Sequence, residues 1–347
     1  MQTLSEHPTV RKFRERSRET AEKSQPVLDA KWLRQLCLGA GADDVGFVEI
    51  ERQELAEQQQ EITSAFQHTK TIISFVCRMN RDDLRSPARS VANLEFNYTG
   101  DRVNETAHAI VEALERKNIR ALNPSMGFPM EVQRFPDGKT WVVSHKPVAV
   151  AAGLGHTGIH RNVIHPKFGN FILLGTILIN AEVSEYDHPI GYNPCLECKL
   201  CVSACPVGAI GDDGHFDFSA CYTHNYREFL GGFTDWVENI ADSKNALEYR
   251  RRISDGESAS IWQSLSFGAN YKAAYCMAVC PAGEDVITPF LENRKDYLQD
   301  VVKPLQTKVE TVYVIPHSDA EAHVAKRFPH KKTKRVGRSL HPRKIQS

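Results

Sequence analysis

The chain is short of several things that would commit it to a partner or a compartment. It has no charge bias: 43 Lys and Arg are matched by 43 Asp and Glu among 347 residues, a formal net charge of zero. There is therefore no global pull toward nucleic acid or an anionic membrane. It has no run of 18 apolar residues, so no membrane span is expected. The first residues, MQTLSEHPTVRKF, contain no apolar stretch of the secretory kind, so a reducing cytoplasm is expected and disulfides are not. No internal repeat is visible. Apolar residues make up 41%, enough for a sizeable core, and the length allows two domains.

Against this neutral background the cysteines stand out. Seven of the nine lie between residues 195 and 280, and four of them form Cys195-x2-Cys198-x2-Cys201-x3-Cys205-Pro206. That is the spacing with which bacterial ferredoxins wrap a 4Fe-4S cubane. Structural zinc uses two CxxC pairs set apart by a longer loop. Three cysteines at strict three-residue steps followed by Cys-Pro suit a cubane better, and a cubane moves electrons singly.

In two-cluster ferredoxins the fourth cysteine of the run ligates the other cluster. Cys195, Cys198 and Cys201 then need a remote partner, and Cys280, which also precedes a proline, is the candidate. Cys205, Cys221 and Cys276 remain for a second cluster. A standard second motif would put a cysteine at position 273, where this chain has Ala273. The second cluster is three-iron, or four-iron with a non-cysteine ligand, or absent. His224, three residues after Cys221, offers an imidazole that iron accepts; the plainer reading is a polar residue beside a cluster.

Along the chain, residues 1–27 read as a polar arm or peripheral helix. Residues 28–41 have helical spacing and end in glycine. Strands are expected over 44–50 and 70–77, with Val142 and Val143 closing another. Residues 101–117 form an amphipathic helix. The run FILLGTILI over 171–179 reads as a central strand buried on both faces. This alternation argues for a mixed α/β (α+β) domain over 28–185. A ferredoxin-like segment follows over 186–290, its cysteines split by a helical stretch over 224–270. A strand, a helix and a basic tail complete 291–347. From Lys326 to Lys344 there are nine Lys and Arg and no acidic residue, read as a solvated tail that could grip RNA phosphates. Cys37 and Cys77 lie in apolar segments and read as core.

Gly153-Leu-Gly155-His-Thr-Gly158 matches GxGxxG, yet a dinucleotide site wants a strand before it and a helix after it. The preceding KPVAVAA reads instead as a helix, and helix breakers follow. The glycines fit better as a loop where backbone approaches a flat or phosphorylated ligand closely.

The stretch from Ala149 to His160, the segment Ile164-His165-Pro166-Lys167-Phe168-Gly169, the apolar strand with Leu173-Leu174-Gly175-Thr176, and then the cysteine run resemble, in order and spacing, the epoxyqueuosine reductases. Reductive dehalogenases share that plan. The resemblance spans about residues 28–290. It implies a nitroreductase-like domain holding cobalamin with no protein ligand on cobalt, and a two-cluster ferredoxin domain feeding electrons to it. Cobalt reduced to the +1 state then drives reduction of a small-molecule or nucleoside substrate, with reduced ferredoxin or flavodoxin as electron donor. By position, Gly153, Gly155 and Gly158 would line the corrin or its nucleotide tail, and His160 and His165 would reach its amides or phosphate; surface-loop histidines are the plainer reading.

The departures bear on function. The family's V-D-[ST]-A-P segment, with its proton-donating acid, is here Val143-Ser144-His145-Lys146-Pro147, without a carboxylate. His156 replaces the family tryptophan, the cysteine at 273 is missing, and no helical repeats follow to hold tRNA. His145 is the first candidate proton donor, because imidazole titrates near neutrality, and Tyr98 is the second. Three functions stay open: a cobalamin-dependent reductase, an iron–sulfur electron carrier without its own substrate, and a tRNA-acting enzyme guided by the basic tail.

Overall fold

The computed structural model describes residues 3–19, 27–134 and 140–337. Helix α1 (Pro8–Glu19) precedes the first core. Helix α2 (Ala30–Gly39) starts at Asp29, whose carboxylate accepts from the Trp32 N–H at 2.7 Å and so satisfies an otherwise orphaned donor. Next come β1 (Asp44–Glu49), α3 (Gln59–Ala65), β2 (Thr71–Arg78), α4 (Arg81–Arg85), α5 (Arg89–Glu115) and β3 (Ala121–Leu122). Helix α6 (His145–Ala151) leads into the short pair β4 (His156–Thr157) and β5 (Val163–Ile164), followed by β6 (Ile172–Ile179).

The main sheet has the order β1-β2-β6-β3 with every pairing antiparallel, so the mixed helix-and-sheet fold is of the α+β kind. Strand residues alternate between two faces. Phe47, Ile73, Phe75 and Ile177 pack with Leu33 of α2 and Val103, Ile110 and Leu114 of α5. Val48, Ile72 and Leu178 pack with Ile62 of α3 and Val148 and Ala151 of α6. The long apolar run over 171–179 is thus central and covered on both sides. Leu28 bridges to Val183, so the two ends of this unit meet.

Two local expectations are corrected. Val142 and Val143 close no strand; they lie in irregular chain before α6, where Val143 is buried against the second face of the sheet. The helix expected from residue 101 begins at Arg89, so Tyr98 is mid-helix and not in a loop. Gly100 sits inside that helix where an added Cβ would meet Met126 at 2.8 Å, so it is a packing glycine and not a breaker.

The remaining chain builds a second core. It contains α7 (Leu200–Ala204), α8 (Phe218–Asn225), α9 (Gly231–Ala241), α10 (Ala246–Arg252), α11 (Asp255–Phe267) and α12 (Tyr275–Ala278). Helices α13 (Thr288–Glu292), α14 (Arg294–Tyr297) and α15 (Lys303–Thr307) lead to β7 (Thr311–Val314), α16 (Asp319–Arg327) and β8 (Lys332–Arg335). Leu200, Val207, Tyr275 and Val279 share one core with Leu305, Val312, Val324 and Phe328. The C-terminal elements therefore close over the cysteine-rich part.

The basic run is corrected with them. Over its described part it is no solvated tail: β8 pairs in parallel with β7. Lys331 is buried, donating to Lys308 O at 2.6 Å and Glu310 Oε1 at 2.9 Å, while the Tyr275 hydroxyl donates to the same carboxylate at 2.8 and 2.9 Å. Lys334 donates to both Glu257 oxygens at 2.8 Å. Residues 338–344 of the run lie outside the described residues. A buried carboxylate stripped of its cation is costly. Lys331→Met is expected to lower unfolding free energy in urea by about 3 kcal/mol. The neighbouring exposed Lys332→Met should change it by less than about 0.5 kcal/mol.

Candidate metal centre

Four of the expected ligands converge. Cys195, Cys198, Cys201 and Cys280 line one pocket, with Ile159, His160 and Pro281 also at its wall. Short α7 and the left-handed residues Glu197 (φ 50°) and Lys199 (φ 60°) curl the run so that its first three thiols face this space. Cys280 is brought in by a seam between the two cores. Glu284 N–H donates to Pro166 O at 2.9 Å, and Asp285 N–H to Lys167 O at 3.0 Å. Gly169 (φ +64°) and Gly283 (φ +111°) let the two backbones touch, and a Cβ on Gly169 would overlap the Ala282 carbonyl.

Among the described residues no three His, Cys, Asp or Glu side chains stand close enough together to hold a single metal ion. One zinc ion would gather its thiolates 2.3 Å from a common point. Thiols spread around a cavity suit a polynuclear cluster, whose iron atoms sit between them.

Burial pushes these thiols up, Cys280 to about 12, and its thiol neighbours add to the shift. Burial raises Cys198 and Cys201 as well. Ionising such a group needs a compensating cation, which a bound iron core provides.

Cys205, Cys221 and Cys276 form a second set: Cys276 and Cys205 both lie near enough to add to the upward push that burial gives the Cys221 thiol, and Cys205 does the same for Cys276. Cys205 is wrapped by backbone donors: its sulfur accepts from Ala209 N–H at 3.3 Å, with the N–H groups of Val207, Gly208 and Ile210 also directed at it. Such a nest stabilises a thiolate and tunes a cluster. Tyr226 lies beside Cys221 and Cys276.

His224 does not face this set. Its ring is fully buried against Tyr313, ring centres 6.2 Å apart, and Nδ1 accepts from the Tyr313 N–H at 3.3 Å. The ring contributes to the α8–β7 contact, and its buried Nε2 has no hydrogen-bond partner among the described residues.

The expected cobalamin contacts are turned toward protein. A Cβ on Gly153 would meet the His188 carbonyl, on Gly155 the Ile164 carbonyl, and on Gly158 the Ile164 side chain at 2.7 Å. The close approach that lacking a Cβ allows at these glycines is to the chain itself. His165 is buried and donates from Nε2 to Asp44 Oδ2 at 3.0 Å, while its Nδ1 accepts from the Lys167 and Phe168 N–H groups. His160 accepts from Asn162 N–H at 3.1 Å and pairs with the Asn170 amide at 3.2 Å. It reaches the cluster cavity and not a corrin site.

The candidate proton donors are also placed otherwise than expected. His145 donates from Nε2 to the Ser125 carbonyl at 3.0 Å, so its Nδ1 accepts from Thr176 Oγ1 at 2.8 Å. Burial holds its pKa below the usual value. A neutral imidazole with both nitrogens engaged is a clamp between α6 and β6, not a ready acid. Tyr98 is 67% exposed on α5.

Two residues that the motifs did not single out matter more. Lys146 donates from Nζ to Arg161 O at 2.8 Å and Asn162 Oδ1 at 2.9 Å, and its charge acts on Cys276 and Cys221. The Asn162 amide nitrogen lies 4.0 Å from Cys276 Sγ. The available signal was Lys146 itself, standing where the V-D-[ST]-A-P pattern has alanine.

No protein-family profile matches the chain. An epoxyqueuosine reductase from Cellulophaga algicola is 25% identical over 240 residues, 63% of this chain and 76% of that protein. One from Bacillus anthracis is 26% identical over 187 residues, 53% of this chain and 40% of that protein. One from Staphylococcus aureus is 37% identical over 92 residues, 26% of this chain and 23% of that protein. Among solved structures, epoxyqueuosine reductase from Streptococcus thermophilus aligns at a TM-score of 0.42 and 16% identity, over 79% of this chain and 75% of that one. A catabolic reductive dehalogenase aligns at 0.47 and 16%, over 85% and 35%. The three sequence relatives carry the name of the family that the motifs resemble.

Burial pushes His160 and His224 down to about 4, with the Lys146 charge adding to the effect at His160. Unfolded, each titrates near 6.5. Between those values the unfolded chain binds protons that the folded one refuses, so their contribution to stability is complete above pH 6.5 and is lost as pH falls toward 4. Thermal melts are expected to show Tm falling over that window, less steeply in His224→Phe.

Proposed function

We propose that this relative of the epoxyqueuosine reductases is an iron–sulfur oxidoreductase. The observation that carries the reading is one cavity lined by Cys195, Cys198, Cys201 and Cys280. Bound there, a 4Fe-4S cluster would supply single electrons at low potential. The chain's own residues shape that delivery. The Gly169–Gly283 seam fixes Cys280 against the run, the proline after each terminal cysteine turns the chain out of the site, and apolar Ile159 and Ala282 limit water at the cavity wall.

Cobalamin dependence is the finer reading. It is supported by the motif resemblance and opposed by the glycine stretch, which is filled by the chain's own carbonyls. The residues nominated for the corrin do not fit it, and no step is assigned to it. Anaerobic reconstitution with iron and sulfide should give a brown protein, and Cys280→Ser should lose about four irons per chain while Cys37→Ser loses none. Iron content unchanged in Cys280→Ser would end the proposal. Hydroxocobalamin retained through gel filtration supports a cobalamin-dependent reductase with the corrin on another face. Passage without retention leaves an electron carrier, accepting from reduced ferredoxin or flavodoxin.

A tRNA substrate is the second reading, favoured by one observation. Lys334 donates to the Arg252 carbonyl at 2.7 Å, which sets Arg250, Arg251 and Arg252 at the end of α10 beside β8 with its Lys332 and Arg335. Phosphate contacts of this kind weaken steeply with salt. Arg250→Gln with Arg251→Gln should weaken tRNA binding and flatten its salt dependence by about two counterions. Binding with an unaltered slope would dismiss this surface.

A further inference from the structure

The second thiol set has three members, and the structure shows what stands beside it in place of a fourth. Cys205 comes from the end of the ferredoxin-type run, Cys221 from α8 and Cys276 from α12. In a C-x2-C pair the partner of Cys276 would be residue 273, and Ala273 there carries no ligand. Its N–H is already committed to Asn225 Oδ1 at 2.9 Å.

From the other core, Lys146 reaches toward the same set. Its stem is exposed, but its amino group is held at two points, by the Arg161 carbonyl and by Asn162 Oδ1. The same Asn162 presents its amide nitrogen to Cys276 Sγ. Asn170 reaches the Cys276 carbonyl at 3.5 Å while its amide also pairs with His160. Asn162 from the β4–β5 loop and Asn170 from the chain before β6 thus both approach Cys276, and the Lys146 ammonium of α6 is held against Asn162. An ammonium has three donors and no lone pair, so while charged it stabilises sulfide and thiolate and cannot bind iron. Two of its donors are taken by Arg161 and Asn162.

We infer that Cys205, Cys221 and Cys276 hold a three-iron cluster, 3Fe-4S, whose open corner is faced by the Lys146 ammonium in place of a fourth ligand. The inference rests on the iron–sulfur reading above and adds to it the nuclearity of the second centre and the group that sets its charge. A cation at that corner does two things. It repels the fourth iron ion, and it favours the more negative, reduced form of the cluster, raising its reduction potential relative to a site without it. Lys146 is a positioning residue in this role, since it acts on the cluster through charge and hydrogen bonding.

The test uses the full chain, reconstituted anaerobically with excess iron and sulfide. Iron is counted, and EPR spectra are taken in the oxidised and reduced states. An oxidised three-iron cluster is paramagnetic, whereas an oxidised four-iron cluster is silent. The wild type is expected to carry about seven irons and an oxidised signal integrating to one spin per chain. Ala273→Cys is expected to abolish that signal and bring iron to about eight. Lys146→Met should keep the signal and move its midpoint potential to a more negative value, and Lys146→Arg should restore most of the shift. Tyr226→Phe should leave both unchanged.

A silent oxidised protein overturns the inference, whether it holds about eight irons or about four. An unmoved potential in Lys146→Met removes the lysine from it, and a negative shift of the same size in Tyr226→Phe would assign the effect to the phenol instead. Failure to bind any iron would sink the iron–sulfur reading itself, which is a different result from any of these.

Discussion

The arrangement depends on how Cys280 is brought to a run of cysteines some 80 residues earlier in the chain. Nothing local can do this. The work is done by backbone against backbone: the loop from Pro166 to Gly169 pairs with the loop from Ala282 to Asp285, and two glycines with positive φ remove the side chains that would hold them apart. Met79, Leu84 and Phe171 from one core pack with Met277 and Val286 from the other around that seam. Burial of these side chains, about 1.5–3 kcal/mol each, outweighs the entropy of joining two loops of this size. The cavity wall inherits its rigidity from that contact.

A second constraint is the buried charge beneath the cysteine-rich core. Glu310 receives Lys331 and the Tyr275 hydroxyl, and Tyr275 sits next to Cys276 in sequence. The Arg89 guanidinium lies over the Tyr275 ring, 5.2 Å from its centre. A helix of only four residues, α12, is thereby fixed from below by Glu310 and from the side by α5. Short helices have little stability of their own, so tertiary partners of this kind are what hold Cys276 in place.

Much of this was legible in the chain. The cysteine run and the Cys-Pro at 280–281 identified four residues that share a cavity, because cluster ligation demands fixed spacing. The buried strand at 172–179 announced itself by an unbroken apolar run. What could not be read was direction and company. The glycine stretch was correctly marked as a place of close approach, but periodicity does not say whether a ligand or the chain's own carbonyl is the neighbour; at Gly155 it is Ile164. The basic run looked solvated because composition does not reveal that Lys331 meets Glu310 inside the protein. His224 has ligand spacing from Cys221, yet spacing does not reveal that its ring is buried against Tyr313 of β7. Lys146 was passed over because its partners, Arg161 and Asn162, are separated from it by the turn that folds α6 back on β5.

The wide separation of Cys280 from its three companions also fixes an order of assembly. The run can offer three thiols as soon as it is synthesised, but the fourth arrives only after the whole helical stretch from α8 to α12 has formed and both loops have met. Until then the cavity has three of its four thiols. On the iron–sulfur reading proposed above, loading of the cavity would therefore wait on completion of the tertiary structure.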